Sequence, residues 1–128
     1  MSENSLEYLV ACTGCECQIL FLTEANEFMA EIKKDYPKDH LELMKIIKHL
    51  SESGKVINRE KMEHMAGFKN IWEMKSNKTR PSRLYGFTDK MGVHVITHGS
   101  ERREGQARRN AEFAKTQRYK NRWEKEHS

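Results

Sequence analysis

The amino-acid sequence predicts an α+β fold: a twisted, mainly antiparallel sheet packed on a helical hairpin, with an extra N-terminal strand and a C-terminal helix. Three observations predict it. Apolar residues recur at helical spacing in two successive runs between residues 23 and 53, divided by Pro37. Segments of strand character lie before and after that pair of runs, not between them. The stretch from 104 to 125 is basic and helical in pattern.

The elements follow in order. LEYLVACTGCECQILFL alternates twice, first through Leu6, Tyr8, Val10 and Cys12, then through Cys15, Cys17, Ile19 and Phe21. Thr13-Gly14 between them reads as a two-residue hairpin turn with glycine at positive φ, so residues 1–16 form an extension strand. Thr23 is the expected N-cap of a helix whose stripe is Ala25, Phe28, Met29, Ile32 and Tyr36. Pro37 ends it. Asp39 and Glu42 form a D-x-x-E capping box for a second helix that buries Leu43, Ile46, Ile47 and Leu50, and Gly54 stops it. Residues 55–70 read as a loop with one short helical turn. Three strands follow, IWEMK (71–75), SRLYGFT (82–88) and GVHVITH (92–98), the last two joined through Asp89-Lys90-Met91-Gly92. In the final helix Ala107, Ala111 and Ala114 make a small-residue seam, followed by Tyr119 and Trp123. A chain of 128 residues suits one domain, 1–128, with a modest core.

Composition narrows the classes. Hydrophobic residues make up 37% and charged residues 33%, and no apolar run approaches the ~20 residues of a membrane span. The N-terminus MSENSLEYLV lacks the basic and apolar regions of a secretory signal. The expectation is a cytoplasmic protein without membrane association. Charge is uneven: residues 1–64 carry 8 Lys/Arg against 12 Asp/Glu, whereas residues 65–128 carry 15 against 7. A second half this basic points to a polyanionic partner, and a basic helix is also the ordinary composition of a solvated face.

Three constellations bear on chemistry. Cys12, Cys15 and Cys17 have metal-like spacing, but a structural zinc site takes four ligands and the chain holds no second cysteine pair. Reduced, half-buried thiols are the expectation, with no metal and no cofactor. His94 and His98 fall on one face of the last strand with Ile96 between them. His94 reads as a polar group on that face. His98 reads equally as a general acid or base and as a polar strand end. Lastly, Lys75, Lys78, Arg80 and Arg83 line two neighbouring strands, and Arg102 and Arg103 lie just past the third. Guanidinium groups hold phosphate bidentately, and Tyr85 or Phe87 is placed to stack a base. No Gly-rich phosphate loop, HExxH or GxSxG motif competes with this reading.

IWEMK, then SRLYGF, then GVHVITHG and a basic segment entering a helix together resemble, in that order, the RelE/ParE toxin superfamily, and within it the HigB-like, phage-derived branch. The resemblance covers about residues 17 to 120. It implies a β-α-α-β-β-β core and a type II toxin that cleaves mRNA on the ribosome, neutralised by a small helix-turn-helix antitoxin. Such endoribonucleases (mRNA interferases) use no metal; they position the RNA 2′-OH for in-line attack on its own phosphate. The resemblance assigns catalytic roles to Arg83, His98, Arg102 and Lys75, and RNA binding to Lys78, Arg80, Tyr85 and Arg103. Ser100 and Glu101 depart from the family pattern, which has Phe after His-Gly. That leaves two alternatives open: a phage-derived relative that binds a protein partner and cuts nothing, and a gyrase-inhibiting ParE-like toxin.

Overall fold

A computed structural model describes residues 5–101 and 106–128. Six strands form one mixed sheet: β1 (Tyr8–Thr13), β2 (Gln18–Leu22), β3 (Met62–His64), β4 (Ile71–Ser76), β5 (Ser82–Thr88) and β6 (His94–Glu101). Their order across the sheet is β1-β2-β6-β5-β4-β3, with β2 and β6 parallel and every other pair antiparallel. The helices are α1 (Thr23–Asp35), α2 (Pro37–Ser53) and α3 (Gln106–Glu126). The α+β class expected from the sequence is the class observed.

The hairpin of α1 and α2 packs its stripe as the spacing predicts. Ala25, Met29, Ile32, Leu43, Ile46, Ile47 and Leu50 are buried against Ile19, Phe21, Trp72, Met74, Leu84 and Ile96 of the sheet. Glycines let the layers approach. A Cβ on Gly99 would lie 2.2 Å from the Phe28 ring, and one on Gly86 would lie 2.5 Å from the Trp72 indole. These two positions admit the bulky groups of α1 and β4 into the interface.

The opposite sheet face is covered as well, which the sequence did not lead one to expect. Leu20, Leu22, Ile71, Tyr85, Phe87 and Val95 pack there with Phe113 and Trp123 of α3. The sheet is therefore sandwiched, and β5 is buried from Ser82 to Phe87 without alternation. The inward face of α3 is Phe113, Thr116, Lys120 and Trp123, at helical spacing. The expected seam is not that face: Ala111 is exposed and Ala114 half-buried, and the expected start at Glu104 lies outside the described residues.

Several local expectations change. The β1–β2 connection is four residues, Gly14 to Cys17, since Thr13 pairs with Gln18, and Gly14 is not at positive φ. Its lack of a Cβ matters for another reason: that carbon would fall 2.4 Å from the Ser51 carbonyl oxygen. Cys15 and Cys17 thus sit in the turn. Cys12 and Cys17 pack against the hairpin core, and Cys15 is exposed. Leu22, not Thr23, is the N-cap of α1, without a side-chain cap. Pro37 begins α2 at its first turn, where its missing N–H costs nothing, and so Asp39 lies inside the helix and caps nothing. Gly54 terminates α2 in the left-handed region at φ 80°. Residues 55–70 contain β3, where a helical turn was expected. Asp89 and Gly92 (φ 83°) form the expected turn before β6.

Candidate functional site

Four of the predicted residues, Lys75, Arg83, Tyr85 and His98, share the sheet face on which α3 packs. Lys75 and Arg83 are register partners on β4 and β5; Arg83 also lies opposite Ser100, and Tyr85 opposite His98, on β6. A bulge decides this arrangement. The β5–β6 register shifts between Tyr85 and Gly86, leaving Thr97 as the extra residue. One inserted residue reverses the facing of everything beyond it. His94 therefore points to the hairpin side, bonded to Thr88 Oγ1 at 2.9 Å and against Trp72, while His98 lies on the α3 side. The expectation that the two histidines share a face is corrected by this bulge, and no local sequence signal announces it.

Most of the expected site residues are engaged. Arg83, to which the resemblance assigns a catalytic role on phosphate, is buried; its Nη1 donates to the Ser82 carbonyl at 2.9 Å, Asn77 Oδ1 at 3.1 Å and the Ser76 carbonyl at 3.3 Å. Tyr85, expected to be open for base stacking, is 3% exposed, stacked on His98 at 4.9 Å and edge-on to Phe113 at 5.6 Å. Its hydroxyl meets Ser100 Oγ at 3.0 Å, and burial pushes its pKa up. Phe87 is buried too. Lys75 pairs with Glu63 at 2.6 Å. Arg80 pairs with Glu101 at 2.6 Å and lies over the Tyr36 ring. Lys78 is exposed. Arg102 and Arg103 lie outside the described residues.

His98 is enclosed as well, 1% exposed. Its Nε2 lies 3.2 Å from Glu112 Oε1 of α3, and its Nδ1 lies 2.8 Å from Thr97 Oγ1. Burial lowers its pKa and Lys115 adds to that, against the opposing carboxylates of Glu112 and Glu24. A neutral ring that donates from Nε2 and accepts at Nδ1 satisfies both neighbours.

Sequence reasoning missed the groups that α3 contributes. Glu63 and Glu73 stand directly opposite each other on β3 and β4, an unfavourable pairing of like charges. Arg109 bridges them, its Nη2 at 2.6 Å from Glu73 and 3.2 Å from Glu63. Glu24 of α1 likewise receives Lys115 and, at 2.7 Å, the Tyr119 hydroxyl, whose pKa burial and that bond push up to about 12. The spacing 109, 113, 116, 120, 123 held the signal. It was hidden because two of those five positions are cations and one is a threonine, so the face reads as polar.

A second anchor holds the loop that leads into β5. Asp39, fully buried, accepts from Ser76 Oγ at 2.6 Å and from the N–H groups of Lys78, Thr79 and Arg80 at 2.8 to 3.0 Å. Burial alone would raise its pKa, but these donors outweigh it and lower it.

Among the described residues no group of three or more His, Cys, Asp or Glu side chains is placed to hold a metal ion. No described helix is long and apolar enough to cross a membrane. Neither a scan against protein-family models nor a search of curated proteins returned a match for this chain.

Proposed function

We propose that this chain is a RelE/ParE-like toxin of the HigB-like branch, a ribosome-dependent mRNA endonuclease held in check by a cognate helix-turn-helix antitoxin. The observation that carries the proposal is the convergence of Lys75, Arg83, Tyr85 and His98 from three adjacent strands onto one rigid sheet face. The succession β2-α1-α2-β4-β5-β6, with β1 and β3 as additions at the two edges, agrees with the β-α-α-β-β-β core the resemblance implies.

RNA reaches that face only when α3 lifts away. Its departure removes Glu112 from His98 Nε2. Thr97 can then turn its hydroxyl to the Tyr85 carbonyl, 3.2 Å away, and accept from Nδ1–H. That leaves Nε2 unprotonated, the form required to take a proton from a ribose 2′-OH. The 2′-oxygen attacks the adjacent phosphorus, the bond to the 5′-oxygen breaks, that oxygen takes up a proton from water, and the products are a 2′,3′-cyclic phosphate and a 5′-hydroxyl. Lys75 and Arg83 supply positive charge beside the phosphate as negative charge develops.

The second reading, a relative that binds a protein partner and cuts nothing, is favoured by one observation: the closed α3 already occupies the charges and rings that would meet RNA. One experiment decides between them. Purified protein is mixed with ribosomes and mRNA, and new 5′ ends are mapped and tested for phosphorylation by a kinase. Cleavage giving 5′-hydroxyl ends, lost in His98→Gln, supports the nuclease. Intact mRNA, together with unimpaired bacterial growth at high expression, would eliminate it.

A further inference from the structure

The outward face of α3 carries a second, independent feature. Arg108, Lys115, Arg118, Arg122 and Lys125 fall at successive helical spacings and, with Ala111, form one continuous stripe. At 1.5 Å per residue the stripe is about 26 Å long. Arg108, Arg118, Arg122 and Lys125 are exposed and Lys115 is half-buried. Two of the five have partners at the margins: Lys115 pairs with Glu24, and Arg122 with Glu126 at 3.1 Å. Arg118 and Lys125 make no ion pair among the described residues. The carboxylates of α3 itself, Glu112, Glu124 and Glu126, flank the stripe and do not interrupt it.

We infer that this stripe binds the phosphate backbone of a nucleic-acid duplex, without reading its sequence. The chemistry of the stripe selects that partner. A protein interface would place aromatic or aliphatic anchors at its centre, and the only apolar side chain here is Ala111. A membrane surface would require the apolar face of the helix, which Phe113 and Trp123 already commit to the sheet. Single-stranded nucleic acid is held by aromatic stacking platforms, and the stripe has none. A straight row of mostly guanidinium groups fits a regular ladder of phosphates. The inference does not depend on the covered face cutting RNA, because Arg108, Arg118, Arg122 and Lys125 are exposed on the far side of the helix and only Lys115, paired with Glu24, reaches towards that face.

The test uses fluorescence anisotropy with mixed-sequence duplexes of 20 base pairs, in RNA and DNA arms, from 50 to 200 mM salt. The probe arms are joined by polyglutamate of matched charge. The expected result is binding to both duplexes with a log–log salt slope of about −3 to −4, given ~0.9 per neutralised phosphate. R118E/K125E should weaken binding at least about tenfold and flatten the slope by ~2, with an unchanged melting curve. K45E/K48E removes the same charge from the exposed face of α2 and should leave binding nearly intact. Equal losses in the two double variants would reduce the effect to net charge and overturn the inference. So would polyglutamate binding as tight as duplex binding, or no duplex binding at 50 mM salt. Loss of mRNA cleavage in His98→Gln with duplex binding retained would separate this surface from the proposed nuclease.

Discussion

Arg109 of α3 reaches Glu73 of β4 at 2.6 Å, one of the ion pairs that fasten a largely polar helix onto the sheet. The Glu73 side chain is only 4% exposed, and its strand neighbour Glu63 repels it from directly across the ladder. Arg109 sits between them, 5.6 Å over the Phe113 ring. Two carboxylates side by side on adjacent strands form because a cation from a remote part of the chain separates them.

Arg109→Ala is expected to cost about 3 kcal/mol of stability, the low end for breaking a buried pair because Arg109 itself is partly exposed. Glu73→Leu in the same background should recover part of that loss by removing the stranded charge. Urea denaturation of the two variants is the measurement. An unchanged midpoint in Arg109→Ala would mean that α3 is held by its aromatic anchors and its other polar contacts, without need of this pair.

Stability should fall as pH drops from 7 towards 5. His98, His94 and His40 all have pKa values lowered by burial. The unfolded chain, with histidines near ~6.5, therefore takes up protons before the native state does, and linkage makes stability fall with falling pH across that window. Glu112 of α3, Glu24 of α1 and Lys115 surround His98, the first two opposing the shift and Lys115 favouring it. His98→Gln should flatten the decline between pH 7 and 5 when unfolding is followed by urea titration at each pH. A curve parallel to wild type would show that His98 contributes nothing to it.

What the sequence disclosed depended on how densely each face was patterned. The hairpin was legible because Met29, Ile32, Leu43 and Leu50 repeat at helical spacing and are buried as that spacing requires. Strands β4 to β6 were legible as short strand-like runs and from the Asp89–Gly92 turn, although β5, covered on both faces, is buried without alternation. The cover over the second sheet face was not, because α3 binds through Arg109, Glu112 and Lys115, charged residues that composition assigns to solvent. Nor was the facing of His98, which turns on a single bulged residue. Local pattern carries the elements. It does not carry a register shift or an ion pair between residues 36 apart.

Gly99 should not tolerate a side chain. Gly99→Ala would place Cβ 2.2 Å from Phe28 Cδ2, and the resulting overpacking should cost ~1–3 kcal/mol. The Phe28→Leu, Gly99→Ala double variant should recover much of that, since the smaller side chain vacates the space. Additive losses in thermal unfolding would place the strain elsewhere.

The cysteines should differ sharply in reactivity. Cys15 is exposed, whereas Cys17 donates to the Leu50 carbonyl at 3.3 Å, and burial raises its pKa with Glu16 adding to the rise. Iodoacetamide at pH 8 should alkylate Cys15 first and Cys17 much more slowly, read by mass spectrometry of digested protein. Equal rates at the two would mean the turn opens freely. The triple Cys→Ser variant should lose little stability, and the purified protein should carry no stoichiometric zinc.

Arg83 is where the catalytic and structural roles meet. Three acceptors, the carbonyls of Ser76 and Ser82 and the side chain of Asn77, receive its guanidinium in a buried setting. Arg83→Ala therefore strips donors from groups that water reaches poorly and is expected to cost about 2–4 kcal/mol, so loss of activity in that variant alone would be uninformative. Arg83→Lys retains the positive charge and one set of donors, and should keep the melting temperature within a few degrees of wild type. An ammonium cannot reproduce the planar fork on a phosphate, so cleavage should still fall, by a hundredfold or so if one transition-state donor is lost. The informative pattern is a stable Arg83→Lys variant with mRNA cleavage much reduced. A stable variant that cleaves at the wild-type rate would make Arg83 a strut between β4 and β5, and the phosphate would then have to be met by Lys75 and by residues beyond Glu101.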